Sequence, residues 1–354
     1  MGLKPIKTGL IGFGLSGRVF HAPFIELAEG FELAAIAQRN SESSRLVYPH
    51  AETVRTYQEV LKNKALELVV IATPNETHFQ MAKEALLAGK HIIVEKPFAP
   101  TLSETEELIG LAMEKNKRLF VFHNRRWDGD FMTVRQVIEN GLLGEIVAYE
   151  AHYDRFKPEL NPKPWKETAG PASGILYDLG THIIDQAVCL FGVPDSVTAQ
   201  LLKQRKETKI DDGFDMMLDY GQCKVTLKST LLAREIGPRY TIYGRQGSFI
   251  KSGIDPQEDD MQAGISPLSK DWGKENRENR GILHTSLGGL SFRGAVETIP
   301  GNYMKFYDNV YDVIRNEAPY AIEPRSAQIT TAIIECAIES NRSRKTVPCK
   351  KPKP

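Results

Sequence analysis

The chain has 354 residues, 41% hydrophobic and 25% charged, and its 45 lysines and arginines are matched by 45 aspartates and glutamates. That composition excludes a disordered or low-complexity chain, and a net charge of zero excludes a nucleic-acid partner held by a broadly basic surface. A length past about 250–300 residues divides into two cores, so two domains are expected, residues 1–123 and 124–354.

No stretch reaches the roughly 18 consecutive apolar residues of a membrane span, and residues 1–7 lack the apolar run of a secretory leader. Cys189, Cys223, Cys336 and Cys349 have neither metal nor redox spacing. A reduced, cytoplasmic setting is the simplest reading. The histidines have no ligand spacing either, so no metal is expected.

From residue 6 to about 123, apolar runs (6–11, 31–37, 66–72, 91–94, 119–122) alternate with amphipathic stretches (17–28, 76–88, 103–114). The runs do not alternate apolar with polar, as expected of strands buried on both faces of a parallel sheet. Strand, helix, strand at this spacing predicts a doubly wound α/β sheet of the Rossmann type.

The first run ends in Gly12-Phe13-Gly14-Leu15-Ser16-Gly17 and opens a helical stretch. In that setting Gly12 permits a tight turn, Gly14 lets a pyrophosphate approach the backbone, and Gly17 lets helix pack on strand. The second run ends Gln38-Arg39-Asn40-Ser41, with no carboxylate to accept from a ribose 2′-OH. Arg39 suits a 2′-phosphate, which favours NADP over NAD; the alternative is a solvated loop charge. Ser41 either donates to that phosphate or caps the next helix. Thr73, Asn75 and His78 follow the next strand, where ligands of such sheets lie, although Thr73 and Asn75 also suit a turn and a cap. His21, on the first helix after the fingerprint, either lies near the cofactor or, the preferred reading, is an ordinary helix-surface residue. Glu95-Lys96-Pro97 ends the following strand, which brings the Lys96 amine toward the nicotinamide end.

After residue 124 the pattern changes to a helix (130–140), a strand (145–153), a proline-rich loop and a helix (174–190). Better-alternating strands follow at 196–202, 214–220, 224–231 and 239–243, then a long polar surface loop (255–280) and helices at 303–317 and 325–341. This half reads as an α+β domain on an open, mainly antiparallel sheet. Asp178 and His182 stand at i and i+4, and on a helix such side chains share a face. Asp178 then fixes the His182 tautomer for proton exchange with a substrate hydroxyl, unless the two are a helix cap beside an ordinary buried histidine. Asn124, Arg126, Tyr153 and Arg155 suit a ring of hydroxyls; a hinge network for Asn124 and Arg126, and a surface salt bridge for Arg155, compete with that. Trp127 reads as core packing. Trp165 lies in the loop before the second helix and is placed to cover the cofactor.

Gly9-Leu10-Ile11-Gly12-Phe13-Gly14, Glu95-Lys96-Pro97, Asn124-Arg125-Arg126-Trp127-Asp128 and the run from Gly174 to Asp185 resemble the Gfo/Idh/MocA oxidoreductase family. Within it the chain is most similar to the NADP-dependent scyllo-inositol dehydrogenase group. The resemblance implies a Rossmann domain, then an α/β domain whose open sheet face forms a homodimer or homotetramer interface. It also implies hydride transfer between a nicotinamide and a cyclitol or sugar carbon, with Lys96, Asp178 and His182 as catalytic residues. A reductase for another diol, ketosugar or imine, or a non-catalytic dinucleotide sensor, are the competing functions.

Overall fold

The computed structural model describes residues 4–163 and 167–349, which form two compact units. The first holds residues up to 124 together with 258–269 and 303–327; the second holds 125–257, 270–302 and the chain from 328 on. Two late segments that a single division near residue 123 leaves out thus fold with the first unit.

The first unit is built on six parallel strands: β1 (Ile6–Ile11), β2 (Phe31–Ala37), β3 (Glu52–Val54), β4 (Leu68–Ile71), β5 (His91–Val94) and β6 (Leu119–Val121). Their order is β3-β2-β1-β4-β5-β6, which reverses between β1 and β4. Every residue of β4 and β6 is buried, because helices cover both faces of the sheet. A π-helical turn (Gly17–His21) leads into α1 (Ala22–Leu27). Ala22 N–H bonds to Gly17 O, and Pro23 in the next turn has no N–H to donate. α2 (Ser43–Val47), α3 (Tyr57–Lys62), α4 (His78–Leu87) and α5 (Leu102–Glu114) follow in turn. Capping boxes Thr56/Glu59 and Thr101/Glu104 start α3 and α5. On the α1 side an aromatic cluster completes the core: Phe24 stacks on Tyr307 at 5.9 Å, and Phe122 meets Phe306 edge-on at 4.8 Å. Tyr307 and Phe306 come from α9 (Met304–Arg315).

The second unit contains α6 (Gly129–Glu139), β7 (Ile146–His152), a π-helical turn (Leu176–Gly180) and α7 (Thr181–Phe191). β8 (Ser196–Leu202), β9 (Gly213–Tyr220), β10 (Cys223–Thr230), β11 (Tyr240–Gly244) and β12 (Gly247–Lys251) come next. β13 (Gly281–Leu287), β14 (Leu290–Val296), most of α10 (Pro324–Ser343) and β15 (Val347–Pro348) complete this unit, while α8 (Gln257–Gln262), past its first residue, belongs to the first. The nine strands run β14-β13-β12-β11-β7-β10-β9-β8-β15, antiparallel except for β10 on β7. One face packs a core with α6, α7 and α10 through Val134, Ile183, Ile184, Ile333 and Ala337. Burying each such side chain contributes about 1.5–3 kcal/mol.

The polar segment 255–280 is not the surface loop that its composition suggests. It includes α8, and Asp255, Gln257 and Trp272 are buried, with Trp272 Nε1 donating to Gln257 Oε1 at 3.0 Å. No helix among the described residues is long and apolar enough to cross a membrane.

Candidate functional site

The turn after β1 separates what the fold requires from what a ligand requires. Gly12 stands at φ +98°, where an added Cβ would come within 2.3 Å of the Ala72 carbonyl oxygen. A Cβ on Gly17 would lie 2.1 Å from the Gly12 oxygen. A Cβ on Gly14 would meet nothing within 4 Å, so packing does not account for that glycine. Its bare backbone stands at the start of the helix, where the first N–H groups lack intrahelical acceptors. Those features fit a dinucleotide pyrophosphate. Phe13, between the first two glycines, is buried against Tyr48.

At the end of β2, Arg39 is exposed and makes no hydrogen bond or ion pair among the described residues. Ser41 Oγ accepts the Ser43 N–H at 3.1 Å, and Gln38 Oε1 accepts the Ser44 N–H at 3.0 Å. Two side chains therefore share the start of α2, and the Ser41 hydroxyl proton is still available to donate.

Beyond β4, the Thr73 and Thr77 hydroxyls bond at 2.7 Å, and Asn75 begins a 3₁₀ turn. His78 does not sit where a cofactor contact was expected. It is fully buried, with Nδ1 2.8 Å from the Pro97 oxygen and Nε2 2.9 Å from the Thr73 oxygen. It braces the ends of β4 and β5 against each other, and burial pushes its pKa down.

The end of β5 carries a buried network. Glu95 Oε1 accepts from the Ser16 hydroxyl and lies 3.1 Å from His21 Nε2, and His21 Nδ1 lies 2.7 Å from the Tyr307 hydroxyl. Glu95 Oε2 accepts the Lys96 backbone N–H at 3.0 Å. Burial alone would raise the Glu95 pKa, but His21, Ser16 and Lys96 together hold it below the ordinary carboxylate value. The His21 ring spans the Glu95 carboxylate on its Nε2 side and the Tyr307 hydroxyl on its Nδ1 side. His21 is thus a fully buried brace, not a helix-surface residue. The available signal was its place one turn after Gly17, on the face that Gly17 lays against the sheet. The Lys96–Pro97 peptide bond is cis.

In the second unit the spacing of Asp178 and His182 meets a π-helical turn rather than an α-helix. Thr181 N–H reaches the Leu176 oxygen five residues back. Asp178 is exposed and His182 is 5% exposed, with Nδ1 enclosed. The turn is held at its start by Asp211, whose backbone oxygen accepts the Ile175 N–H and whose Oδ2 accepts the Leu176 N–H, both at 2.9 Å.

Tyr153 lies 6.4 Å from the His182 ring, and three guanidinium groups face it: Arg239 at 4.1 Å, Arg125 and Arg155 at 5.3 Å. Its hydroxyl is buried without a hydrogen-bond partner among the described residues. Arg155 forms no ion pair among those residues, so the surface salt bridge considered for it is not seen. Arg126 is different. Its Nε and Nη2 grip both oxygens of buried Asp185 at 2.7 Å, which commits the guanidinium to structure instead of a substrate. The sequence could not reveal that partner, 59 residues away. Asn124, in the first unit, is 6% exposed. Trp127 is half-buried. Trp165 lies outside the described residues.

Residues 6–123 match the model of an oxidoreductase family's NAD-binding Rossmann fold, and residues 135–349 match that of an oxidoreductase family's C-terminal alpha/beta domain. The chain is 39% identical to the oxidoreductase YdgJ of Escherichia coli strain K12, over 97% of this chain and 98% of that one. It is 38% identical to the scyllo-inositol 2-dehydrogenase (NADP+) IolW of Bacillus subtilis strain 168, over 97% and 95% respectively. The solved structure of the Bacillus subtilis oxidoreductase YvaA superposes with a TM-score of 0.93 at 36% identity, covering 98% of this chain and 99% of that one.

Proposed function

The chain belongs to the Gfo/Idh/MocA family of oxidoreductases, and from that premise we propose an NADP-dependent dehydrogenase acting on a secondary alcohol or ketone carbon of a cyclitol or sugar. What carries the reading is the near full-length likeness to an enzyme named for NADP and scyllo-inositol. Arg39, standing where an NAD enzyme usually has a carboxylate, supports the cofactor half of it.

The Gly12–Gly17 turn and Arg39 would hold NADP(H), which would supply the hydride as NADPH or accept it as NADP+. The side chains of this chain handle the oxygen and its proton. The Lys96 ammonium binds and polarises the reacting oxygen, and His182 exchanges the hydroxyl proton through Nε2, because Nδ1 is enclosed. Asp178 orients His182 and stabilises its cation. Asn124, Tyr153 and Arg155 hold other hydroxyls, since a buried hydroxyl without a partner loses about 1–3 kcal/mol. Residues 1–123 bind the nucleotide; residues 124–354 bind substrate and form the oligomer.

Self-association as a dimer or tetramer uses the sheet face away from α7. Met217, Thr226, Glu150, Thr241 and Ile250 form one row across five strands of that face. Met217 and Ile250 are each 39% exposed.

The test follows nicotinamide absorbance with NADP and NAD against inositol isomers, aldoses and dihydrodiols. Reduction of NADP by a cyclitol or aldose is expected. Tight NADPH binding with no turnover across the panel would overturn the enzyme in favour of a sensor. Arg39→Asp is expected to weaken NADPH about 10- to 100-fold, the loss of a charge-assisted hydrogen bond, and to leave NADH binding no weaker, since a carboxylate there can accept from the ribose 2′-OH.

A further inference from the structure

We propose that Arg55 is a specificity-determining residue for the cofactor: it neutralises Glu42 and holds the loop that presents Arg39 and Ser41. The proposal rests on the NADP reading above.

The loop between β2 and α2 carries opposite charges, Arg39 and, three positions on, Glu42. A 2′-phosphate brings about −1.5 to −2 charge units at pH 7. A carboxylate left unpaired beside it would repel that phosphate, and the same carboxylate would suit the 2′-OH of NAD. Glu42 is not left unpaired, but its partner is not the nearby Arg39. It pairs with Arg55, thirteen positions away, through Nη2. Nη1 of the same guanidinium donates to the Ser41 oxygen at 2.8 Å and the Gln38 oxygen at 3.3 Å, so one planar fork brackets the loop at both ends.

Arg55 is itself anchored. Gln38 N–H donates to the Val54 oxygen at 2.9 Å, which continues the β2–β3 pairing up to Arg55. Arg55 N–H donates to Glu59 Oε2 at 3.2 Å, the oxygen that also takes the Thr56 N–H and hydroxyl at 2.7 Å in the α3 capping box. One arginine at this edge is therefore tied down at both ends, and Arg39 is left without a partner among the described residues. The division makes Arg55 the support and Arg39 the phosphate ligand. Exposed ion pairs add little to stability, so variants here are expected to fold.

Calorimetric titration of NADPH, NADH and 2′,5′-ADP into wild type, Arg55→Ala, and the double variant Arg55→Ala/Glu42→Gln tests this, with unfolding midpoints as the check on folding. Arg55→Ala is expected to weaken NADPH and 2′,5′-ADP by about 10-fold or more and to leave NADH within about 2-fold. Adding Glu42→Gln should recover at least about 3-fold of the lost NADPH affinity. Equal loss for both dinucleotides, no loss, or no recovery in the double variant overturns the inference alone. A wild-type protein that binds NADH as tightly as NADPH overturns the NADP reading and this inference with it.

Discussion

Each compact unit has a π-helical turn that leads to a buried histidine, and the two turns are made differently. The turn Gly17–His21 runs into Pro23, and the His21 ring is engaged at both nitrogens by Tyr307 and Glu95 of its own unit. The turn Leu176–Gly180 contains no proline. It is capped by Asp211 and starts after Gly174, which stands at φ +92° with Asp211 Oδ1 1.9 Å from where a Cβ would be. It carries an exposed acid, Asp178, and delivers His182 beside the Tyr153 ring. The same rare backbone device thus makes a brace in one unit and, in our reading, a proton shuttle in the other.

The sharpest way to break that contrast is to remove each imidazole. His182→Ala should lower turnover by about 10²- to 10⁴-fold with NADPH binding retained in calorimetry; a variant that kept most of its turnover would contradict the assigned role. His21→Ala should instead act on the fold, with a loss of about 3 kcal/mol in urea unfolding, because a buried carboxylate loses one of its partners. If the His21 variant unfolded like wild type, the network around Glu95 would not be the brace described.

A smaller effect appears in acid. The Glu95 pKa is lowered in the folded protein from 4.5. Its contribution to stability is therefore complete above about 4.5 and is lost as pH falls through the folded value. Wild type and Glu95→Gln should differ most near pH 7 and converge below pH 4.5 in pH-dependent urea titrations. A gap that stayed constant across that range would mean Glu95 is not titrating in this way.

The smallest expected change is in the stability of Gly14→Ala. With no atom within 4 Å of the new Cβ, its unfolding midpoint should equal or slightly exceed that of wild type while NADPH binding weakens. Gly17→Ala, with a backbone oxygen 2.1 Å from the Cβ, should unfold early. Equal destabilisation by the two would mean that packing, not a ligand, explains Gly14.

What could be read from the sequence followed how local each cause is. β1, β2, β4, β5 and β6 are legible because burial on both faces leaves unbroken apolar runs. β3 has three residues and no run to read, and the 281–296 hairpin went unread although Gly288-Gly289, both at positive φ, separate its two strands. The glycine fingerprint was legible because backbone geometry dictates residue type. The roles of Arg126, His78 and His21 were not. Their partners Asp185, Pro97 and Glu95 lie 59, 19 and 74 positions away, and no period in a sequence encodes such a pairing.

The hydrogen bond between Tyr307 and His21 spans 286 positions of chain. At about 5–20 residues per second, a ribosome takes roughly 15–60 s to make Tyr307 after His21. For most of that interval, once β6 has been made, the first unit has its six strands but neither α9 nor the hydroxyl that completes the brace. The unit whose residues come first is therefore finished late, and a nascent chain stopped before α9 should expose Phe24 and Phe122, the surface that chaperones would meet.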